Sequence, residues 1–268
     1  IEAKTGKYRW HFQQVHHDLR DYDSPNPVVL FDATYDGKPR KGIVEIGKTG
    51  YVYILDRETG KPLVGIDEVP VPQEPRQATA ATQPIPRGDE VVPHEIDIEP
   101  EGFKLINNGR IFTPFWDEPV VVKPLGTGGA NWPPSSYDPA TNLFYVCTGD
   151  GAAAYSTKEG GVEWVMPTPG GRYFGGEYTR SGAPRRGIFA AVDVTTNRLA
   201  WRRQWAEMCY AGSIVTRGGL IFVGRNDGRF TALDKSNGNL LWEFEADAGI
   251  HEEAAARELT HGSSFARD

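Results

Sequence analysis

Short runs of β-branched and aromatic residues, each followed by a polar turn, recur along this chain. Residues 51–55 form such a run, and an Asp, a Thr and a Gly follow within the next five positions. Strands favour β-branched and aromatic side chains, whereas Asp and Thr accept backbone N–H bonds in turns and Gly adopts positive φ. The pattern therefore predicts β-hairpins. Only residues 252–259 have a pattern that predicts a short helix.

The same strand-and-turn unit occurs four times. The copies lie at residues 2–10, 55–64, 192–201 and 233–242, and an apolar residue or Trp follows each turn. The last two copies are 41 residues apart, which is the spacing of a four-stranded propeller blade. The first two are 54 apart, which indicates one blade with a longer loop. The 137 residues between the second and third copies hold either one blade with a large insertion or two blades.

Further strand pairs fit between these copies. Residues 213–224 read as strand, Gly-Gly turn and strand, and an Asn-Asp-Gly turn leads into a strand at residues 230–233. Residues 132–146 show a similar pattern, and residues 8–15 read as a strand before a polar loop. The prediction is an all-β chain of four-stranded antiparallel blades, with about three to four blades spanning residues 1–248. Residues 249–268 read as an atypical tail.

Residues 65–128 have a different composition. They contain six prolines between residues 70 and 93 together with scattered acidic residues, and few alternating strands fit there. We expect a long loop insertion that crosses one face of the blades, and such loops on a rigid scaffold often carry function.

Composition and charge exclude several classes of protein. Hydrophobic residues make up 39% and charged residues 24%, so the chain is expected to fold around a core. The net charge of −7 argues against a nucleic-acid partner. No apolar run approaches the ~18 residues of a membrane span, and no signal peptide opens the chain. The opening residues 1–7 read as an internal segment of something longer.

Two cysteines, Cys147 and Cys209, lie 62 residues apart. One disulfide between them is possible, but free cysteines are usually buried, so two separate buried thiols are the favoured interpretation.

The densest polar cluster is the loop at residues 16–23, which contains two His and three Asp. Asp21 and Asp23 are placed to face one hard cation, although Ca²⁺ needs about six to eight oxygen ligands and this loop alone cannot supply them. A polar turn in which Asp side chains cap backbone N–H groups explains the spacing equally well.

Two glycine-rich segments are further candidates. Lys48 stands between glycines at a strand start, where a lysine is usually solvated. Gly128 and Gly129 precede Asn131 and Trp132, so backbone could approach a ligand closely there and the Trp offers a flat apolar face. A structural Trp that packs between blades fits this composition as well.

Taken together, the segments resemble the pyrroloquinoline quinone (PQQ)-dependent dehydrogenases over residues 1 to about 248. The matching segments occur in the same order as in that family: residues 5–13, 16–23, 47–57, 82–86, 128–132 and 218–222. The resemblance implies part of an eight-bladed β-propeller with PQQ in its central funnel.

The resemblance also implies roles for individual residues. Asp21 matches the catalytic base, and Lys48 matches the cation that hydrogen-bonds the quinone oxygens. Asn131 and Trp132 match a pair that lines the cofactor. Asp21 and Asp23 would contact the metal, which is Ca²⁺ or a lanthanide ion. Asp23 resembles an additional acid of the lanthanide-using members, but other members also have an acid there, so it does not decide between the two metals.

The chain departs from the family pattern in several places. Arg20 stands where Trp is usual, and residues 209–212 stand where a Trp-Gly-Gly sequence is common, with Tyr210 as the candidate residue lining the funnel. The family's N-terminal half, with its further metal ligands, is not part of this chain.

The resemblance implies oxidation of an alcohol, polyol or sugar hydroxyl, with an external quinone or cytochrome as electron acceptor and a periplasmic or secreted location. An open half-propeller would expose sheet edges, so a complementary propeller chain or a homo-oligomer is expected. The alternative is a propeller of the same repeats that binds no cofactor and serves as a scaffold or interaction module.

Overall fold

The computed structural model describes residues 1–157 and 177–250. Regular structure in these residues is strand, except for one 3-10 helix at Asn107–Gly109, and none of it is a helix long and apolar enough to cross a membrane. The predicted helix at 252–259 lies outside the described residues. The strands are β1 (Val29–Tyr35), β2 (Lys38–Ile46), β3 (Val52–Asp56), β4 (Ile66–Pro70), β5 (Thr82–Pro86), β6 (Val120–Val122), β7 (Ser136–Asp138), β8 (Leu143–Asp150), β9 (Ala153–Ser156), β10 (Glu177–Arg180), β11 (Arg186–Asp193), β12 (Arg198–Trp205), β13 (Ser213–Val215), β14 (Leu220–Gly224), β15 (Arg229–Asp234) and β16 (Leu240–Glu245).

Three antiparallel sheets follow one another along the chain as blades. Blade 1 consists of β1, β2 and β3, blade 2 has the order β7-β8-β11-β12, and blade 3 is the meander β13-β14-β15-β16. The hairpins expected at 213–224 and 230–233 are present, and the all-β antiparallel prediction is confirmed.

The turns that follow β3, β11 and β15 have the same construction in all three blades. The aspartate at the strand end accepts backbone N–H bonds from its own turn, and the residue four positions later has positive φ. The aspartates are Asp56, Asp193 and Asp234, and the positive-φ residues are Gly60, Asn197 and Gly238. On two of these turns a tryptophan of the preceding repeat copy packs against the glycine. A Cβ on Gly60 would lie 2.6 Å from Trp10, and a Cβ on Gly238 would lie 2.6 Å from Trp201.

The predicted strand at residues 8–15 is wrong. No described strand pairs with this segment, and only a turn remains of the first repeat copy. An extended segment becomes a strand only when a neighbouring segment takes up its backbone hydrogen bonds.

The insertion at 65–128 contains more strand than its composition indicates. It contributes the hairpin of β4 and β5, and its β6 pairs with β9. The connection from β8 to β11 is a second excursion, which the sequence did not reveal, and its β9 and β10 complete a three-stranded sheet with β6. In its described part, the long interval between repeat copies therefore holds one blade with insertions.

The core lies between the blades. On β11, Ile188, Ala190 and Val192 face blade 1, whereas Phe189 and Ala191 face blade 3. Successive side chains of a strand point to opposite faces, so a strand buried on both faces reads as a continuous apolar run.

Candidate active site

The loop at residues 16–23 is shaped by Asp18. Its carboxylate accepts the backbone N–H groups of Arg20 at 2.9 Å and Tyr22 at 2.5 Å, and burial raises the pKa of Asp18, although these bonds oppose the shift. Asp21 has a φ of 61°, a conformation that Asp adopts more readily than most residues. The expected capping turn is thus present, and it turns the side chains of Asp21 and Asp23 outward, 73% and 56% exposed.

Lys48 joins these two aspartates. Its Nζ lies 2.7 Å from Asp21 Oδ2 and 2.6 Å from Asp23 Oδ1, and its side chain is only 10% exposed. Burial lowers the pKa of Lys48, but the hydrogen bonds to Asp21 and Asp23 outweigh that effect, so the net pKa lies above the ordinary value. The interpretation of Lys48 as a solvated turn residue is therefore wrong.

The backbone around Lys48 is held from two sides. Its N–H donates to the Asp23 carbonyl at 3.0 Å, and its own carbonyl accepts the Gly129 N–H at 2.7 Å. A Cβ on Gly128 would lie 2.5 Å from Lys48 Cα, and one on Gly129 would lie 2.7 Å from Gly50 Cα. The two glycines therefore let two protein backbones touch, where the sequence suggested close approach to a ligand.

Asn131, Trp132 and Tyr210 lie next to this contact. The Asn131 amide donates to the Thr127 carbonyl at 2.7 Å, and its Oδ1 accepts the Trp132 N–H at 2.9 Å. The Trp132 side chain is 45% exposed and meets Tyr210 edge-on, with ring centroids 6.0 Å apart. Trp132 is thus not buried between blades. Asn131 and Tyr210 line one shallow cavity together with Gly128, Gly129 and Met208.

Cys147 and Cys209 form a disulfide that borders this cavity. The favoured interpretation as two separate thiols is wrong, because β8 and the segment after β12 meet here although they are distant in sequence. The Ala211 N–H also lies 3.3 Å from Cys147 Sγ. This crosslink attaches the segment that carries Tyr210 to β8.

Sequence reasoning missed the buried support of the loop. The Arg20 guanidinium donates to the Thr113 carbonyl and lies over the rings of Phe115 at 5.3 Å and Tyr155 at 5.9 Å. Tyr22 donates its hydroxyl to the Pro124 carbonyl at 2.5 Å. These partners are distant in sequence, and no local pattern identifies them.

The donor set for a metal is incomplete. Among residues 1–157 and 177–250, no group of three or more His, Cys, Asp or Glu side chains could hold an ion. Asp21 and Asp23 alone offer fewer oxygens than Ca²⁺ requires, and both already bind Lys48. The predicted metal contacts thus do not form a site from the described residues.

Comparisons with known proteins cover nearly the whole chain. Residues 1–164 match the family described as glucose/ethanol/alcohol dehydrogenase, β-propeller domain, under the heading PQQ, and residues 185–263 match the family of outer membrane protein assembly factor BamB. The chain is 30% identical over 259 residues to a quinoprotein ethanol dehydrogenase of Pseudomonas putida. The alignment covers 93% of this chain and 38% of that protein.

Solved structures give the same result. The quinohemoprotein alcohol dehydrogenase from Comamonas testosteroni superposes with a TM-score of 0.69 at 25% identity, covering 93% of this chain and 35% of that one. A europium-containing methanol dehydrogenase superposes with a TM-score of 0.68 at 28% identity, and the match covers 92% of this chain and 39% of that one. The chain therefore spans less than two fifths of the length of these relatives.

Proposed function

The chain belongs to the PQQ-dependent alcohol dehydrogenase family, and on that premise we propose that it supplies the catalytic base and a cofactor-binding cation of a PQQ-dependent dehydrogenase. The observation that carries this proposal is the bridge from Lys48 to Asp21 and Asp23. A scaffold propeller has no need of a mostly buried lysine that holds two exposed carboxylates.

The chemistry of these side chains supports PQQ as the ligand, because PQQ is an o-quinone with three carboxylates and Lys48 offers an ammonium group. Lys48 would donate to the quinone oxygens, and Asn131, Trp132 and Tyr210 would line the cofactor beside it. When bound, PQQ supplies an acceptor for the hydride of the alcohol carbon. A preorganised ammonium group stabilises negative charge that develops on an oxygen in front of it.

Asp21 would receive the proton of the substrate hydroxyl. Lys48 binds its Oδ2, so the exposed carboxylate keeps Oδ1 for a hydroxyl group. A general base must lie within hydrogen-bond reach of the proton that it takes, and the Asp18 turn fixes the direction in which Asp21 points. The substrate would be an alcohol, a polyol or a sugar. Ca²⁺ or a lanthanide ion would need further oxygen donors from other parts of the complete protein and from the cofactor.

The disulfide and the exposed strand β16 support the remaining parts of the proposal. Disulfides persist in oxidising compartments, which fits a periplasmic or secreted enzyme that passes electrons to an external quinone or cytochrome. Leu240, Trp242 and Phe244 on β16 are at least half exposed, which favours a complementary propeller chain or a second copy beside blade 3.

The test is PQQ binding and dye-linked alcohol oxidation by the protein that contains this chain, with Ca²⁺ or a lanthanide added. Lys48→Met is expected to weaken PQQ binding at least ~10-fold, whereas the exposed Lys61→Met leaves it unchanged. Asp21→Asn is expected to keep PQQ binding and to lower kcat by ~10²–10⁴-fold, the usual contribution of a general base. A protein that neither binds PQQ nor oxidises alcohols would instead favour the scaffold alternative.

A further inference from the structure

A second titratable group lies buried behind the candidate site. Glu45 is on β2 and is 4% exposed. The Gln14 amide donates from Nε2 to Glu45 Oε2. The other oxygens of the same two side chains, Glu45 Oε1 and Gln14 Oε1, are buried and have no hydrogen-bond partner.

One proton on Glu45 would account for both unpartnered oxygens. A buried acceptor without a partner destabilises the fold, and two acceptors cannot satisfy each other. A carboxylic acid and a primary amide form a cyclic pair, in which the amide N–H donates to the acid carbonyl and the acid O–H donates to the amide carbonyl. Among the described residues, no cation forms a hydrogen bond or an ion pair with Glu45 that would favour its ionised form.

We propose that Glu45 is a protonated carboxylic acid in the folded protein, and that its cyclic hydrogen-bonded pair with Gln14 is a pH-sensitive contact that positions the Lys48 turn (residues 47–50). The positioning role rests on the proposed function, whereas the protonation of Glu45 does not.

The surroundings of Glu45 favour the neutral form. Burial raises the pKa of Glu45 to about 7, the hydrogen bond from Gln14 opposes the shift, and the charge of Asp23 adds to it. Tyr53 lies opposite Glu45 in the register of β2 and β3 and donates its hydroxyl to the Gln14 and Pro84 carbonyls. The nearest other charges are paired elsewhere: Lys48 with Asp21 and Asp23, and Glu68 of β4 with His16.

The pair touches the lysine turn directly. A Cβ on Gly47 would lie 2.7 Å from Gln14 Oε1 and 3.1 Å from the Asp23 carbonyl oxygen. The next residue, Lys48, donates its N–H to that same carbonyl. An ionised Glu45 would repel the side-chain oxygen Oε1 of Gln14 and the Asp23 carboxylate. This repulsion would loosen the contact between the Lys48 turn and the loop at residues 16–23.

The sign of the pH effect follows from the raised pKa. The folded state holds a proton that the unfolded state releases at lower pH, so Glu45 contributes stability that is complete below about 4.5 and is lost as the pH rises to about 7. Glu45→Gln is the decisive variant, because two amides form the same cyclic pair without a titrating proton. Glu45→Leu removes the pair, and the exposed Glu101→Gln is the control.

Urea unfolding of the chain between pH 5 and 8 tests the protonation. The urea midpoint of the wild type and of Glu101→Gln is expected to fall with rising pH, whereas that of Glu45→Gln stays level and Glu45→Leu is less stable throughout. An infrared carbonyl band of a protonated carboxyl should be present at pH 6 and absent in Glu45→Gln. Equal pH slopes for the wild type and Glu45→Gln, or the absence of that band, would overturn the proposal even if Glu45→Leu failed to fold.

PQQ binding tests the positioning role separately. The wild type is expected to bind PQQ several-fold more weakly at pH 8 than at pH 6, and Glu45→Gln to lose this dependence. If no variant binds PQQ, the proposed function fails while unfolding and infrared data still decide whether Glu45 carries the proton. If Glu45→Gln keeps the pH-dependent PQQ affinity of the wild type, the positioning role is refuted.

Discussion

At the scale of single residues, the chemistry of this chain depends on side chains that meet from separate segments. The positions of Asp21 and Lys48 resemble those of a base and a cation in the family pattern, yet the short Lys48–Asp23 contact appears only in the fold. A turn lysine is solvated unless other backbones cover it. Here the glycine-rich segment at 128–130 provides that cover, so the ammonium group is mostly buried and directed at two carboxylates.

The disulfide is a second residue-scale feature with a measurable effect. Replacing both Cys147 and Cys209 by Ser is expected to lower the free energy of unfolding by about 2–4 kcal/mol, because the crosslink restricts a long loop of the unfolded chain. Urea unfolding with and without a reductant measures the change. The reductant should have no effect on the double variant, and a wild type that is equally insensitive would contradict the prediction.

At the scale of elements, the repeated turn connects neighbouring repeat copies. Trp201 of blade 2 packs on Gly238 of blade 3, and its indole N–H donates to the Lys235 carbonyl at 3.0 Å. Trp10 makes the corresponding contact with Gly60 and the Arg57 carbonyl at 3.2 Å. The glycine is therefore required twice, for its positive φ and for the space that the ring occupies.

A pair of glycines separates these two requirements. Gly6 and Gly238 have similar φ values of 68° and 72°, but a Cβ on Gly6 would meet nothing within 4 Å. Gly6→Ala is expected to cost about 1–2 kcal/mol from backbone strain alone. Gly238→Ala is expected to cost at least ~1 kcal/mol more, because Trp201 must move. Denaturant unfolding measures both, and equal losses would show that the ring contact contributes nothing.

At the scale of the whole molecule, stability lies in the layers between blades. Phe189 on β11 is fully buried among residues of blades 2 and 3, and Trp201 and Trp205 pack against its ring. Blade 2 thus shares its two faces with blades 1 and 3, so the three blades are expected to unfold together.

Truncation of that shared layer tests the expectation. Phe189→Ala should lower the free energy of unfolding by about 3–5 kcal/mol, the usual cost of removing a buried Phe side chain. Phe244→Ala on the half-exposed β16 is the control and should cost under ~1 kcal/mol in the isolated chain. Fluorescence and circular dichroism should give one common transition, and a blade that unfolds separately would refute the shared core.

Local chemistry was sufficient for many strands and turns of the blades. The strands β3, β14 and β15 follow from β-branched and aromatic runs. The turns after β3, β11 and β15 follow from an Asp with a Gly or Asn four positions later. These preferences act within a few residues, because they depend on side-chain sterics and on hydrogen bonds inside one turn. Asp21, Asp23 and Lys48 became candidates only because their order in the chain resembles that of a known family.

Tertiary contacts decided the rest. The pairing of β6 with β9, the lack of a described strand partner for residues 8–15 and the Cys147–Cys209 bond all depend on which distant segment comes alongside. Burial of Lys48 and the pairing of Glu45 with Gln14 have the same origin. Desolvation and backbone pairing are properties of a group's neighbours in space, and a residue's identity alone does not specify those neighbours.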